Sequence, residues 1–167
     1  MKKKIDDKIE ITLESDDKNM SFDLTLLNVD NQSMNIPRQN FDVEMCLPST
    51  DFTNSLKTLN AFCENVVLDI KKERKNQMDL LIKSDQGNGK IQVKNIENMK
   101  INESFNGLFS LKHLVMFTKA KDLCDNIILL LKKDAPLLME YHIGNDDDKN
   151  EQLVVLSFYL APKIQED

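Results

Sequence analysis

Few residues in this 167-residue sequence could act in catalysis, and those that could are scattered. Neither histidine, His113 or His142, belongs to a nucleophile or metalloprotease signature such as G-x-S-x-G or H-E-x-x-H. The stretch Gly87-Asn88-Gly89 is rich in glycine, but it lacks the Lys-Ser/Thr pair and the following helix of a phosphate-binding loop. We therefore predict no catalytic residues and a non-enzymatic protein without a cofactor.

Patterns that would bind a metal ion are weak as well. The aspartates at 146–148 lack the turn glycine and the correctly spaced bidentate glutamate of a calcium loop, so they are better interpreted as a solvated turn. The three cysteines, Cys46, Cys63 and Cys124, form no C-x-x-C pair, which argues against a zinc ribbon or redox motif. We expect free thiols in a reducing compartment and no metal site.

Composition narrows the class of protein further. The net charge of −6 argues against a wholly electrostatic nucleic-acid binder, although it leaves room for a local basic face. The longest apolar runs are too short to cross a bilayer, and the basic start MKKKIDDK is not followed by the apolar stretch of a signal peptide. We expect a soluble intracellular protein with no membrane partner.

Alternation of apolar and polar residues with a period of two dominates the chain and predicts a β-rich protein. No internal sequence repeat is evident. The polar segment 27–40 contains a proline and lacks a sustained period, which indicates a linker between a short strand pair and a strand-rich domain. The predicted strands are 8–14, 22–26, 41–47, 66–71, 78–83, 90–94, 99–103, 127–132, 137–143 and 153–160.

Only two segments have helical periodicity. The first follows Pro48, with Ser49 or Thr50 as the expected cap, and the second runs from about 110 to 119. The predicted buried residues are Phe52, Leu56, Leu59 and Cys63 on the first helix and Leu111, Leu114, Val115 and Thr118 on the second.

Lysines lie opposite the apolar stripes of both predicted helices. Lys57 is on the first, and Lys112 and Lys119 are seven residues apart on the second, hence about 20° apart around the helix axis. One interpretation is that helices packed on a sheet simply keep their lysines in water. The other is that the two helices form one basic surface against a phosphate backbone, where contacts position a duplex without reading its sequence.

The tail LVVLSFYLAPKIQED carries an apolar strand almost to its end and stops that strand at Pro162. This strand is either an ordinary core element or the edge of an apolar surface that receives a partner. The residues alone leave both interpretations open.

Seven short segments occur in the order found in one known family: MNIPRQ, LPS, GNGKI, FSLKHL, FTKA, APL and YLAPKI. The chain resembles the proliferating cell nuclear antigen family, the eukaryotic DNA sliding clamps. The resemblance implies an α+β DNA-clamp fold in which a curved antiparallel sheet carries two helices on its inner face. It also implies that residues 1–26 are the closing strands of an incomplete N-terminal clamp domain, 27–40 the interdomain connector and 41–167 the C-terminal clamp domain.

The function implied by the resemblance is that of a sliding clamp and polymerase processivity factor in DNA replication and repair. Such a clamp encircles double-stranded DNA without sequence preference, forms a homotrimer in its full-length form, is placed on DNA by a clamp loader and works in the nucleus. At two helix positions where relatives carry a basic side chain, this sequence has Asn54 and Ala61. The implied DNA-binding residues are Lys57, Lys112, Lys119 and Lys18.

The resemblance also implies an apolar pocket for peptides of polymerases, ligases and nucleases with the motif Q-x-x-aliphatic-x-x-aromatic-aromatic. Its expected lining is Met34, Ile36, Pro37, Pro136, Tyr159, Ala161 and Pro162, and residues 163–166 are expected to pair with the bound peptide. The expected subunit interface is formed by Lys18, Phe22 and Leu24 on one strand and Lys90, Ile91 and Val93 on another. The alternatives are a truncated fragment that docks peptides without encircling DNA, and a DNA-damage checkpoint clamp.

Overall fold

The computed structural model describes residues 8–25, 40–85, 87–144 and 154–164. The chain divides into two compact units, Met1–Arg38 and Gln39–Asp167. Three of the predicted pocket residues, Met34, Ile36 and Pro37, lie outside the described residues, as do the aspartates at 146–148.

The first unit contains an antiparallel hairpin of β1, Lys8–Ser15, and β2, Lys18–Thr25. β2 begins at Lys18, four residues before the predicted start at 22, and so includes Met20 in the apolar alternation. The register places six apolar side chains on one face of the hairpin, and each is 39–52% exposed: Ile9 opposite Leu24, Ile11 opposite Phe22 and Leu13 opposite Met20. An isolated two-stranded hairpin is only marginally stable, so this face requires a covering surface.

The second unit mixes strands and helices, which confirms the α+β prediction. A short helix of the 3-10 type follows the second α-helix directly, at Thr118–Leu123. The remaining elements are β3 Val43–Pro48, α1 Ser49–Asn60, β4 Asn65–Ile70, β5 Gln77–Ser84, β6 Gly87–Lys94, β7 Lys100–Ile101, β8 Phe105–Ser110, α2 Leu111–Phe117, β9 Asn126–Leu131, β10 Leu137–Ile143 and β11 Val154–Leu160.

These strands form two antiparallel sheets. One has the order β11-β10-β9-β3-β7 and the other the order β6-β5-β4-β8. An isolated bridge between Leu108 of β8 and Lys163 connects the chain after β11 to the edge of the four-stranded sheet, with 2.8 Å between the Lys163 nitrogen and the Leu108 oxygen.

The order of elements reveals an internal repeat that sequence reasoning did not detect. The first half, β3-α1-β4-β5-β6, is followed by β8-α2-β9-β10-β11, and each half contributes its first strand to the sheet of the other. β3 pairs with β9 over six residues, and β8 pairs with β4 over six residues. The sequence trace of this repeat is short: C-E-N at 63–65 and C-D-N at 124–126 precede or begin equivalent strands.

The two helix starts are held by equivalent hydrogen bonds. The backbone N–H of Ser49 donates to the Asp125 carbonyl at 2.8 Å, and that of Leu111 donates to the Glu64 carbonyl at 2.9 Å. The first four N–H groups of a helix have no partner within the helix, and each of these contacts satisfies one of them and fixes the helix to the neighbouring strand start.

Both helices bury most of the predicted apolar residues in one core, and Val115 of α2 is only partly buried. Leu56 of α1 and Leu111 and Leu114 of α2 are fully buried, as are alternate residues of the strands beneath them. Burial of one such side chain contributes about 1.5–3 kcal/mol, so this core dominates the stability of the second unit. The strand residues of the core include Val43, Met45, Leu47, Val66, Leu68, Ile70, Met78, Leu80, Ile127, Leu129, Leu131, Met139 and Tyr141.

The predicted side-chain cap of α1 is wrong. Pro48 occupies the cap position and Ser49 is the first helical residue. The Ser49 hydroxyl lies 2.6 Å from the Cys124 carbonyl oxygen and 2.9 Å from that of Asp125. It therefore donates to the chain before β9 and does not cap its own helix. The helix ends at Asn60, so Cys63 packs against the core from the following loop.

Two further corrections concern the region 105–119. α2 ends at Phe117, so Lys119 lies on the 3-10 helix. Strand β8 was missed because Gly107 interrupts the apolar alternation. A Cβ at Gly107 would lie 2.8–2.9 Å from ring atoms of Phe105 and Phe109, whose stacked rings have centroids 6.3 Å apart. Glycine is therefore required for close packing here.

The Ser49→Ala variant tests the link between α1 and β9. Removal of the hydroxyl leaves the carbonyls of Cys124 and Asp125 with one donor fewer, and we expect a loss of about 1–3 kcal/mol in unfolding free energy. Ser55→Ala is the matched control, because the exposed Ser55 hydroxyl only donates to Asp51 within the same helix. Urea denaturation measures both, and equal losses would contradict the assigned role of Ser49.

Candidate functional site

The lysines predicted to contact DNA lie on the outer sides of the helices. Lys57 on α1, Lys112 on α2 and Lys119 on the 3-10 helix are all exposed. With about 100° per α-helical residue and about 120° per 3-10 residue, Lys112 and Lys119 still project about 20° apart. Lys18 is exposed on β2 of the other unit.

The charges of the helix lysines are available to an external anion. Within the described part of the chain, Lys57, Lys112 and Lys119 enter no ion pair, whereas Lys121 pairs with Asp122. The field of α1 is nonetheless weak, since Asn54 and Ala61 are exposed and neutral and Lys57 is the helix's one basic residue. This surface suits weak, salt-sensitive contacts rather than tight binding.

The C-terminal strand uses its two aromatic residues differently. Phe158 packs inward, with its ring centroid 4.8 Å from that of Phe117 and 6.1 Å from that of Tyr141. Tyr159, its neighbour, is 44% exposed, and both Ala161 and Pro162 are exposed. The strand is thus a core element on one side and a surface element on the other.

Another predicted pocket residue, Pro136, lies beside this strand. It is exposed immediately before β10, the strand that pairs with β11. A cavity of about 340 Å³ lies nearby, between the loop at 132–135, β8 and the tail residues Pro162, Lys163 and Ile164. The backbone N–H of Lys163 already donates to Leu108, so that group is unavailable for the predicted pairing with a peptide.

The predicted interface strand β6 is an edge strand of the four-stranded sheet in the described residues. Lys90 is exposed, while Ile91 and Val93 are half-buried and pack against the core. A cavity of about 460 Å³ adjoins this edge, and its lining includes Leu59, Ile82, Ile91 and the 67% exposed Phe62. An unpaired edge beside an apolar cavity is a favourable surface for addition of a strand.

The ammonium group of Lys90 is engaged within the chain. It lies 2.6 Å from the carboxylate of Asp79, which also accepts hydrogen bonds from Arg74 at 3.0 Å and Gln92 at 3.1 Å. Burial raises the pKa of Asp79, but the hydrogen bonds from Lys90 and Gln92 and the charges of Lys90 and Arg74 outweigh burial and lower that pKa below its usual value. Sequence reasoning missed this site; the one signal was a charged residue inside the apolar strand QMDLLIKS.

Among the described residues, the remaining ionisable groups form no catalytic arrangement. The His142 ring contacts Glu140 at 3.1 Å, and all three cysteines are free. Burial raises the pKa of Tyr141 to about 12, and its hydroxyl donates to the Phe117 carbonyl. In the described ranges no group of His, Cys, Asp and Glu side chains could hold a metal ion, and no helix is long and apolar enough to span a membrane.

The described residues thus present exposed helix lysines, an open sheet edge and an apolar strand end. Residues 35–163 match the family model for the proliferating cell nuclear antigen, C-terminal domain. The chain belongs to this family, and this membership confirms both the clamp fold implied by the resemblance and the non-enzymatic character predicted from the lack of catalytic motifs.

Two relatives give the extent of the similarity. The proliferating cell nuclear antigen of Chaetomium thermophilum is 30% identical over 160 residues, covering 90% of this chain and 58% of the relative. Proliferating cell nuclear antigen 2 of Drosophila melanogaster is 30% identical over 166 residues, covering 96% of this chain and 61% of the relative. The chain therefore spans about three fifths of the length of these relatives.

The lowered pKa of Asp79 predicts an acid-sensitive contribution to stability. Because its folded-state pKa lies below the unfolded value, this contribution is present above the unfolded pKa and is lost as pH falls through the folded pKa. Asp79→Asn should cost about 1–3 kcal/mol of unfolding free energy at pH 7, and the difference from wild type should shrink below about pH 4.

Urea denaturation from pH 3 to pH 7 measures this difference. Glu44→Gln is the control, since Glu44 forms a more exposed ion pair with Lys100 at 3.3 Å. A wild-type-minus-variant difference that stays constant over this range would refute the assignment.

Proposed function

We propose that this chain is a DNA sliding-clamp subunit, or a large part of one, that encircles duplex DNA and docks enzymes of replication and repair. The observation that carries the proposal is a set of exposed lysines on the helices of a domain of this family, which form no ion pair within the described residues: Lys57, Lys112 and Lys119. Lys18 would add a further phosphate contact from the hairpin unit.

Phosphate contacts of this kind fit a clamp that slides. They carry no sequence information and weaken as salt increases. A ring needs no tight contact, because its closed topology keeps it on the duplex. The net charge of −6 and the small number of helix cations are therefore compatible with the role.

Head-to-tail pairing of β2 with β6 of a second copy would build the ring, as a homotrimer in the full-length form. One face of the hairpin carries the acidic residues Glu10, Glu14 and Asp23, whereas β6 carries the exposed Lys94 in addition to Lys90, whose ammonium is paired with Asp79. These charges are complementary. On the apolar side, a full set of partners is available: Phe22 and Leu24 from β2, and Leu59, Phe62, Ile91 and Val93 beside β6.

The domain organisation belongs to the same proposal. Residues 1–26 would close an N-terminal clamp domain, 27–40 would form the connector, and 41–167 the C-terminal domain. The exposed apolar face of the hairpin supports this division, because strands of this kind need a sheet and helices to cover them. A clamp loader and a nuclear location follow from the role.

The partner site would combine Pro136, Tyr159, Ala161 and Pro162 with Met34, Ile36 and Pro37 of the connector. Its ligands would be peptides of polymerases, ligases and nucleases with the motif Q-x-x-aliphatic-x-x-aromatic-aromatic. Burial of two aromatic side chains contributes about 3–6 kcal/mol before ordering costs. The prolines lack backbone donors, which lowers the cost of an open apolar surface.

The alternative function is peptide docking without encirclement of DNA, and the exposed apolar strand end at Tyr159, Ala161 and Pro162 favours it. Sedimentation and retention on closed circular DNA distinguish the two functions. A closed oligomer that is retained on circles and released on linearisation supports the clamp, and a monomer that binds only the peptide supports the alternative.

Replacement of two helix lysines tests the DNA surface. Lys112→Ala with Lys119→Ala should reduce the slope of log affinity against log salt by about two, because two phosphate contacts are lost. Fluorescence anisotropy with a duplex at several salt concentrations gives the slope. Lys100→Ala, which removes a lysine paired with Glu44 on the sheet, should leave it unchanged. An unaltered slope in the double variant would remove these lysines from the DNA surface.

Replacement of Tyr159 and Pro162 tests the partner site. Tyr159→Ala with Pro162→Ala should weaken binding of a peptide with the stated motif at least about tenfold, because both residues line the apolar surface. Isothermal titration measures affinity, and circular dichroism checks the fold. Val155→Ala on the same strand is the control, since Val155 is 44% exposed and lies outside the proposed site. Equal affinity of double variant and control would refute the assignment.

A further inference from the structure

A row of polar side chains crosses the whole four-stranded sheet. Asn106 on β8 lies opposite Asp69 on β4, Asp69 lies opposite Asp79 on β5, and Asp79 lies opposite Gln92 on β6. These four residues, the polar row, alternate with core residues such as Leu68 and Leu80 and so occupy the face away from the main core.

The polar row places two carboxylates directly opposite each other. Asp69 is 8% exposed and Asp79 is 5% exposed. Like charges in this position destabilise a sheet unless each is neutralised. A nearly buried charge also loses its hydration, so both groups need close donors.

Each carboxylate has its own donors. Asp69 accepts from the Asn106 amide at 2.9 Å and pairs with Lys71 at 3.2 Å. Asp79 pairs with Arg74 at 3.0 Å and Lys90 at 2.6 Å. Lys71 and Arg74 both come from the loop between β4 and β5, so this short loop neutralises the centre of the row.

Two of the three donors to Asp79 come from the edge strand. Gln92 lies directly opposite Asp79 and donates its amide at 3.1 Å. Lys90 lies opposite Leu81, so its side chain reaches Asp79 diagonally across the pair of strands. An edge strand has one unpaired backbone side and frays readily. Hydrogen bonds from side chains of β6 to the nearly buried Asp79 oppose this fraying.

We propose that Asp79 is a positioning residue for subunit assembly, which holds β6 in the geometry that accepts a strand from a second copy. The inference rests on the proposed function, because it takes β6 as the acceptor edge of the subunit interface. It also changes the role expected for Lys90. That ammonium acts first within its own chain, where it fixes the edge strand, rather than as a direct contact to the next subunit.

A structural role alone makes a different prediction. If Asp79 served only general stability, its replacement would increase opening of all strands alike. A positioning role predicts an effect concentrated in β6 and in self-association.

Hydrogen exchange and sedimentation on the full chain separate these roles. In Asp79→Asn, exchange at pH 7 should accelerate about tenfold more for the β6 amides that bond to β5 than for those of β9 and β10, whose acceleration reports only the loss of global stability. Self-association should weaken by about the same factor. Lys90→Met removes one donor, keeps the aliphatic stem and should act in the same direction, so it serves as the test if Asp79→Asn does not fold. Glu44→Gln should alter neither measurement.

The outcomes are distinguishable. A greater acceleration in β6 than in β9 and β10, with weaker association, supports the proposal. Unchanged β6 exchange in both variants, or equal acceleration in every strand, overturns it. If the wild type does not associate but the variants accelerate β6 more than the other strands, head-to-tail assembly is overturned and the role of Asp79 in holding the strand stands.

Discussion

The exchange of first strands between the two halves of the second unit is the constraint on which the rest of the structure depends. β3 belongs to the first half but completes the sheet of β9, β10 and β11, and β8 completes the sheet of β4, β5 and β6. Neither half can therefore bury its apolar strand faces without the other. The helices follow the exchanged strands directly, so the same pairing that joins the sheets also places α1 and α2 side by side over one core.

The functional surfaces are consequences of this arrangement. Because both helices have their apolar sides on the core, their lysines are left in solvent on one helical layer. Because each half ends with its last strand at a sheet edge, β6 and β11 are equivalent edges in the described structure. After each edge strand, the chain returns to the other sheet. β7 follows β6 and pairs with β3, and the tail follows β11 and pairs with β8 through Lys163.

Local patterns predicted most elements, and long-range contacts explain the errors. Strict alternation identified strands such as β3 and β5, and the spacing of Phe52, Leu56 and Leu59 identified α1. β8 was missed because its central residue is a glycine that makes room for two aromatic rings, a reason visible only in three dimensions. The cap of α1 was assigned wrongly because the Ser49 hydroxyl donates to carbonyls 75 and 76 residues away in sequence.

The candidate site was predicted unevenly for a related physical reason. Tyr159 and Pro162 are exposed, which agrees with the interpretation of the tail as an apolar surface for a partner. The sequence also allowed an ordinary core strand, because the alternation of residues does not tell which face of a strand the core covers. The polar row was not predicted at all. Asp69 and Asp79 look like ordinary solvent-facing residues of alternating strands, and only the register of four strands shows that they are nearly buried and opposed.

An open edge must accept one strand and reject others, and this requirement connects the polar row with assembly. A flat apolar edge would pair with any extended chain, and lysines on an edge discourage this. On β6 the exposed Lys94 supplies such a charge, while the ammonium of Lys90 is directed to Asp79. The edge is thereby charged, ordered and fixed in register at once. A strand that is both apolar on one face and acidic on the other, as in the β1–β2 hairpin, fits such an edge better than a uniformly apolar strand does.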